Sequence, residues 1–150
     1  MNLPEPSLLV PHQGDALLLE SIDAVYPDGL DAGLRVRGGP PFARDAGALP
    51  AWIGPEIMAQ AVSAFATWRR GLPYRPKPGL LLGVRRYVSG ISEFERGARL
   101  TVSVRESTRD DSGIAVFDAV LSANGARVAE GMLTVFEPDD VLETLAEQLA

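Results

Sequence analysis

Between Trp52 and Trp68 the chain runs for seventeen residues with a single charged group, Glu56. An ionised carboxylate is expensive to bury without partners, so a lone one in a core-grade segment marks a working group. Ile53, Ile57, Met58, Ala61, Val62, Ala64, Phe65 and Trp68 clothe most of a helical cylinder in apolar side chains. Glu56, Gln60, Ser63 and Thr67, at spacings of four, three and four, stack as one polar stripe that is expected to face a cleft. Pro55 suits a first helical turn, while Gly71 and Pro73 supply the stop. Trp52 and Trp68 read as core. A chain with one such helix must build everything else around it.

Most of what remains reads as strands. Leu100, Val102 and Val104 alternate with Arg99, Thr101 and Ser103, bounded by Gly97 and by the turn Asp110-Asp111-Ser112-Gly113. Ile114 to Ala123 and Arg127 to Phe136 flank Asn124-Gly125, a strong hairpin signal, and Leu80 to Val88 is a further apolar run. Ahead of the helix, Ala16 to Val25 and Gly29 to Arg37 form a first hairpin about Tyr26-Pro27-Asp28-Gly29. Val141, Leu142, Leu145 and Leu149 predict a short amphipathic helix at the C-terminus. Two strands, a long helix and four strands, with no second helical layer, leave an α+β arrangement in which the antiparallel sheet wraps around the helix, the hotdog fold.

Size and charge bound the function classes. At 150 residues and 46% hydrophobic, the chain suffices for a single domain spanning 1–150. It has no cysteine and one histidine, which excludes disulfides and cysteine-ligated metals and argues against a zinc site, so no metal is expected. No basic stretch followed by an apolar one opens the chain, and no uncharged apolar run reaches membrane-spanning length. A cytoplasmic protein without a membrane span is expected. The net charge of −6 argues against general nucleic-acid binding. Yet Arg69, Arg70, Arg75, Lys77, Arg85 and Arg86 share a stretch from Glu56 to Glu93 that holds no acid in between. Such an island suits an acidic or phosphorylated partner, such as a phosphopantetheine arm, an acyl carrier protein or coenzyme A. The alternative is a solvated turn whose arginines cover apolar surface. Arg85 and Arg86, as strand neighbours, are expected on opposite faces.

Two segments carry a resemblance. Leu49-Pro50-Ala51-Trp52-Ile53-Gly54-Pro55-Glu56-Ile57-Met58-Ala59-Gln60-Ala61 resembles the active-site helix of the β-hydroxyacyl-acyl-carrier-protein dehydratases, where a Glu precedes a Met-Ala-Gln-Ala type sequence. Val10-Pro11-His12-Gln13-Gly14-Asp15-Ala16-Leu17-Leu18-Leu19-Glu20 is similar to the Pro-His opening and first strand of the same family. With Leu82-Gly83-Val84-Arg85-Arg86-Tyr87, the chain is most similar to the divergent branch associated with aryl-polyene-type biosynthesis. The resemblance implies dehydration of a β-hydroxyacyl thioester to the trans-enoyl thioester in fatty-acid or polyene-type biosynthesis. It implies no cofactor beyond the 4′-phosphopantetheine arm or coenzyme A that carries the substrate. It also implies a cleft between protomers, hence a homodimer or a heterodimer with a homologous hotdog protein.

One departure stands out. The family's catalytic histidine belongs to a Gly-His-Phe-Pro motif before the helix, but a gapless count back from Glu56 reaches Phe42, and Gly38 to Pro50 contains no histidine. Dehydration needs a base for the α-proton, an acid for the departing hydroxyl and donors for the thioester oxygen. Glu56 fills one proton-transfer role, leaving His12 as the only imidazole for the other. Without context a loop histidine is more often bonded to a turn amide. The backbone amides around Ala51, Trp52 and Gly54, at the positive end of the helix, are the oxygen donors. Gln60 either orients Glu56 or a carbonyl or touches substrate, and Arg85 and Arg86 are the candidate cations for the carrier. Two alternatives stay open. A hotdog acyl thioesterase would use the carboxylate without the missing histidine, and a non-catalytic subunit would support a catalytically complete homologue.

Overall fold

The computed structural model describes residues 2–37, 47–77 and 80–137. The short helix α1 (Pro6–Leu9) and a 3₁₀ turn (Gly14–Ala16) precede the hairpin of β1 (Ser21–Tyr26) and β2 (Gly29–Arg35). A two-residue strand β3 (Leu49–Pro50) and a second 3₁₀ turn (Ala51–Ile53) lead into the long helix α2 (Gly54–Arg70). There follow β4 (Leu80–Ser89), the two-residue β5 (Glu93–Phe94), β6 (Arg99–Arg109), β7 (Ile114–Ala123) and β8 (Ala126–Phe136). Six strands form one antiparallel sheet in the order β1-β2-β6-β7-β8-β4, and β3 pairs with β5 separately.

The sheet coils around α2 because its inner positions demand cover. Leu30 of β2 pairs with Val104 of β6, which pairs with Ala119 of β7; beside them run Ala32, Val102 and Leu121. All six are buried, while the intervening Thr101 and Ser103 are only half so, the alternation of a one-sided strand. Against this face α2 lays Ile57, Met58, Ala61, Val62, Ala64 and Phe65, all essentially inaccessible. Burying a side chain of the larger kind stabilises by roughly 1.5–3 kcal/mol. Phe65 meets Phe117 edge to face, centroids 6.1 Å apart. Gly71 caps α2 with φ 85, returning its N–H to the Trp68 carbonyl. In the β7–β8 turn Asn124 (φ 50) and Gly125 (φ 87) both take the left-handed region that a two-residue hairpin requires.

Several expectations are corrected. The first strand begins at Ser21, not Ala16, because the Leu18 N–H is drawn to the Gln60 side chain instead of a neighbouring strand. The β3–β5 pair is new. Trp52 is not core: it is 63% exposed, since its 3₁₀ turn places it outside the helix packing. Arg85 and Arg86 do not alternate across a flat strand, because the β4–β8 register shifts between Arg85 and Val88 and Arg86 takes φ 55; both are exposed. The basic island is broken up as well. Arg69 is claimed by Glu106 and Glu137, at 2.9 and 3.5 Å, and lies over the Phe65 ring, and Arg70 bonds the Arg75 carbonyl. The predicted C-terminal helix and Phe42 lie outside the described residues. No helix among the described residues is long and apolar enough to cross a membrane.

Candidate active site

Helix α2 presents Glu56 in its first turn, and the segment between α1 and the first 3₁₀ turn folds back over it. His12 comes from that segment, with Nε2 3.2 Å from Glu56 Oε1. The two are far apart in sequence, and the same protomer supplies both. Their side chains are 36% and 38% exposed, so solvent, and therefore a ligand, reaches the pair.

Gln60, one turn further along α2, is fully buried and underpins the arrangement. Its Oε1 accepts from the Leu18 N–H at 2.9 Å, which fixes the orientation of the amide because only the oxygen can accept. The Nε2 group then donates to the Ala16 carbonyl at 2.8 Å and to Glu56 Oε1 at 3.1 Å. Gln60 thus ties the His12-bearing segment to α2 while steadying the carboxylate, and leaves no atom for substrate. Two groups converge on Oε1 of Glu56, and no hydrogen bond to Oε2 exists among the described residues. Among the described residues the carboxylate is held by one oxygen and left without a partner at the other.

His12 Nδ1 is buried without a partner among the described residues. Among the described residues nothing sets the imidazole tautomer from that side. The pair can therefore exchange a proton directly across 3.2 Å.

The expected row of amide donors shrinks to one. The Ala51 N–H is bonded to the Ser92 carbonyl at 2.9 Å, and the Gly54 N–H to the Ala51 carbonyl. Pro50 is extended, with ψ 146, so no helical bond reaches back from Trp52. Among the described residues the Trp52 N–H has no hydrogen-bond partner, which leaves it as the donor at the positive end of α2. Thr67, like Gln60, is fully buried, and although Ser63 is half-buried as a residue its Oγ is buried too, without a partner among the described residues; of the polar stripe Glu56 alone faces outward. Among the described residues no hydrogen bond or ion pair joins Arg85 or Arg86 to His12, Glu56 or Gln60. Sequence reasoning missed Tyr87, whose hydroxyl donates to the Ala51 carbonyl at 2.6 Å. The signal for it was Gly54, a glycine inside a helical turn. Among the described residues no cluster of His, Asp and Glu suited to a metal ion is present.

Comparison with known proteins places this geometry in context. Residues 4–146 match the sequence profile of the ApeP-like family, described as ApeP dehydratase. No curated protein sequence matches. In three dimensions the chain is similar to a chain of the dehydratase heterocomplex ApeI:P from Xenorhabdus doucetiae, with a TM-score of 0.83 and 24% identity over 97% of this chain and 99% of the other. It is also similar to a mutant of the phenylacetic acid degradation protein PaaI from Thermus thermophilus, with a TM-score of 0.62 and 20% identity over 82% and 96% of the two chains. A hypothetical thioesterase with coenzyme A from Streptococcus pneumoniae gives a TM-score of 0.60 and 14% identity over 77% and 86%. At these identities the structural likenesses establish the shared fold.

Proposed function

The chain belongs to the ApeP-like dehydratase family, and from that premise we propose that it converts a β-hydroxyacyl thioester, carried by an acyl carrier protein or coenzyme A, to the trans-enoyl thioester. The observation that carries this reading is the 3.2 Å contact between His12 Nε2 and Glu56 Oε1. It supplies the second proton-transfer group that the loop before α2 lacks. His12 takes the α-proton as the C–H bond breaks, and the Trp52 N–H stabilises the negative charge that moves onto the thioester oxygen. As the electrons return to form the α,β double bond, the C–O bond breaks, and the proton captured by His12, passed to Glu56 across their contact, goes to the departing hydroxyl. Water leaves, and both groups are back as they began. The reaction is redox neutral and moves only protons.

A partner chain belongs to this reading. β4 is the last strand of the sheet order and, among the described residues, pairs with β8 alone, and Leu81, Leu82 and Val88 on it are exposed, as are Ile91 and Trp52 beyond it. An open, apolar strand edge is a template for another chain. A second hotdog protein, identical or homologous, is the partner that suits it, and the structural relative from a heterocomplex favours the homologous one.

The test is to supply β-hydroxyacyl thioesters, linked to carrier protein or to coenzyme A, to the chain alone and with a homologous partner, and to follow enoyl product and free thiol together. Enoyl product is expected, and Glu56→Gln and His12→Ala should each reduce it by about a hundred- to ten-thousand-fold. Wild-type dehydration by either variant would overturn the roles assigned. Free thiol without enoyl product would point to the thioesterase instead.

A further inference from the structure

We propose that Tyr87 is a positioning residue for the thioester-oxygen site, holding the peptide unit whose N–H, that of Trp52, meets the developing oxyanion. The inference deepens the dehydratase reading and applies to any thioester chemistry at this site in which the carbonyl oxygen gains charge.

Three observations converge on Tyr87. The first is how the ring reaches the helix. Its neighbours Arg85, Arg86 and Val88 are exposed, whereas Tyr87 is half-buried, because the register break and the left-handed Arg86 turn this one side chain inward. A non-glycine residue at positive φ is strained, and bulges of this kind re-aim a side chain.

The second is what the hydroxyl does. It donates to the Ala51 carbonyl at 2.6 Å, an oxygen that also accepts the Gly54 N–H. Ala51 C=O and Trp52 N–H belong to the same planar trans peptide, so they point in opposite directions. Two donors on the carbonyl therefore fix the direction of the Trp52 N–H, away from Tyr87. Burial pushes the Tyr87 phenol above its ordinary value, so the hydroxyl stays protonated as a donor at neutral pH.

The third is the space reserved for the ring. Gly54 has φ −51 and ψ −47, a conformation open to every residue, and glycine at a helical position costs up to about 1 kcal/mol relative to alanine. Backbone geometry does not ask for it. A Cβ at position 54 would collide with the hydroxyl and ring of Tyr87, so the glycine exists to admit the tyrosine. A tyrosine present only to fill the core would not need its hydroxyl placed on the carbonyl whose peptide carries the Trp52 N–H, a donor without a partner among the described residues.

Tyr87→Phe keeps the ring and removes the hydroxyl, which makes it the test. In the protein with its partner, turnover should fall about ten- to a hundred-fold, as expected when a catalytic donor is misaligned. KM should move less than about two-fold, because the lost interaction is made in the transition state. The pH profile set by His12 and Glu56 should keep its shape. Wild-type turnover, or a loss confined to KM, would overturn the proposal. Nitrogen-edited NMR of the same variant gives a readout that needs no activity: the Trp52 and Gly54 amide resonances should shift, and exchange at Gly54 should accelerate. If wild type neither dehydrates nor hydrolyses thioesters, the dehydratase reading fails, and the amide resonances alone decide the role of Tyr87. Unchanged resonances would refute it.

Discussion

A buried side-chain amide must satisfy two hydrogens and an oxygen, and Gln60 satisfies all three, on Ala16, Glu56 and Leu18. Its replacement by Leu is nearly isosteric but leaves the Leu18 N–H and the Ala16 carbonyl without these partners. Each such loss typically costs about 1–3 kcal/mol, so Gln60→Leu should lower the unfolding free energy by roughly 2–4 kcal/mol, measurable in urea titrations. Dehydration should fall further than the lost stability explains, because the segment carrying His12 is no longer tied to α2. A variant as stable as wild type would show that the segment is held by other contacts. Glu56 was legible in the sequence, since one carboxylate in an apolar helix is conspicuous. The division of its stripe was not. Helical spacing puts Glu56, Gln60, Ser63 and Thr67 within one broad face, yet the fold covers Gln60, Thr67 and the Ser63 hydroxyl and leaves Glu56 open. Which flank is covered depends on a segment distant in sequence, and no local period records that. Proximity of His12 to Glu56 was likewise beyond periodicity; only the motif-like opening suggested it.

Among the elements, β4 departs most from regular geometry, and Arg86 at φ 55 is where it does so. Glycine relieves the left-handed strain of an ordinary side chain, which is worth about 1 kcal/mol, while adding freedom to the unfolded chain. Arg86→Gly should therefore be neutral or stabilise by up to about 1 kcal/mol, seen as an unchanged or raised Tm, with Tyr87 still directed at Ala51. A clear fall in Tm would mean that the arginine side chain contributes packing that offsets its strain. The same variant reports on the carrier, because it removes one exposed cation: a raised KM for carrier-linked substrate at low salt, vanishing at high salt, is the expected sign of an electrostatic contact. Strands with a strict two-residue alternation, β6 above all, were readable, since one buried face imposes that pattern. β4 was readable as a strand but not as a bulged one. The β3–β5 pair was invisible, because two residues carry no period.

At the scale of the whole molecule the two ends of α2 do different work. The N-terminal end is open and carries His12, Glu56 and the Trp52 N–H, while the C-terminal end is locked to the sheet by opposed charges. Arg69 of α2 and Arg109 of β6 share Glu106 of β6 and Glu137, which follows β8. The shortest contact of the four, Arg109 to Glu137, is 2.6 Å. Counting cations along the sequence made Arg69 part of a free basic island, because its carboxylate partners come from distant strands that only the fold brings together. Burial by itself would raise the Glu106 carboxyl, but hydrogen bonds and charge from Arg69 and Arg109 outweigh it and hold the group below its ordinary value of 4.5. The folded chain thus binds that proton less tightly than the unfolded chain does. Its contribution to stability is complete above the ordinary carboxylate range and drains away as pH falls through the lowered native value. Melting curves from about pH 7 to about pH 3 should show wild type losing Tm steeply on the acid side. Glu106→Gln should begin lower at neutral pH, with two guanidinium groups sharing one carboxylate, and lose less on acidification. Parallel curves for the two proteins would mean that the acid sensitivity of the fold arises from other carboxylates and that this cluster is held mainly by packing, with Arg69 resting on Phe65 at 4.7 Å.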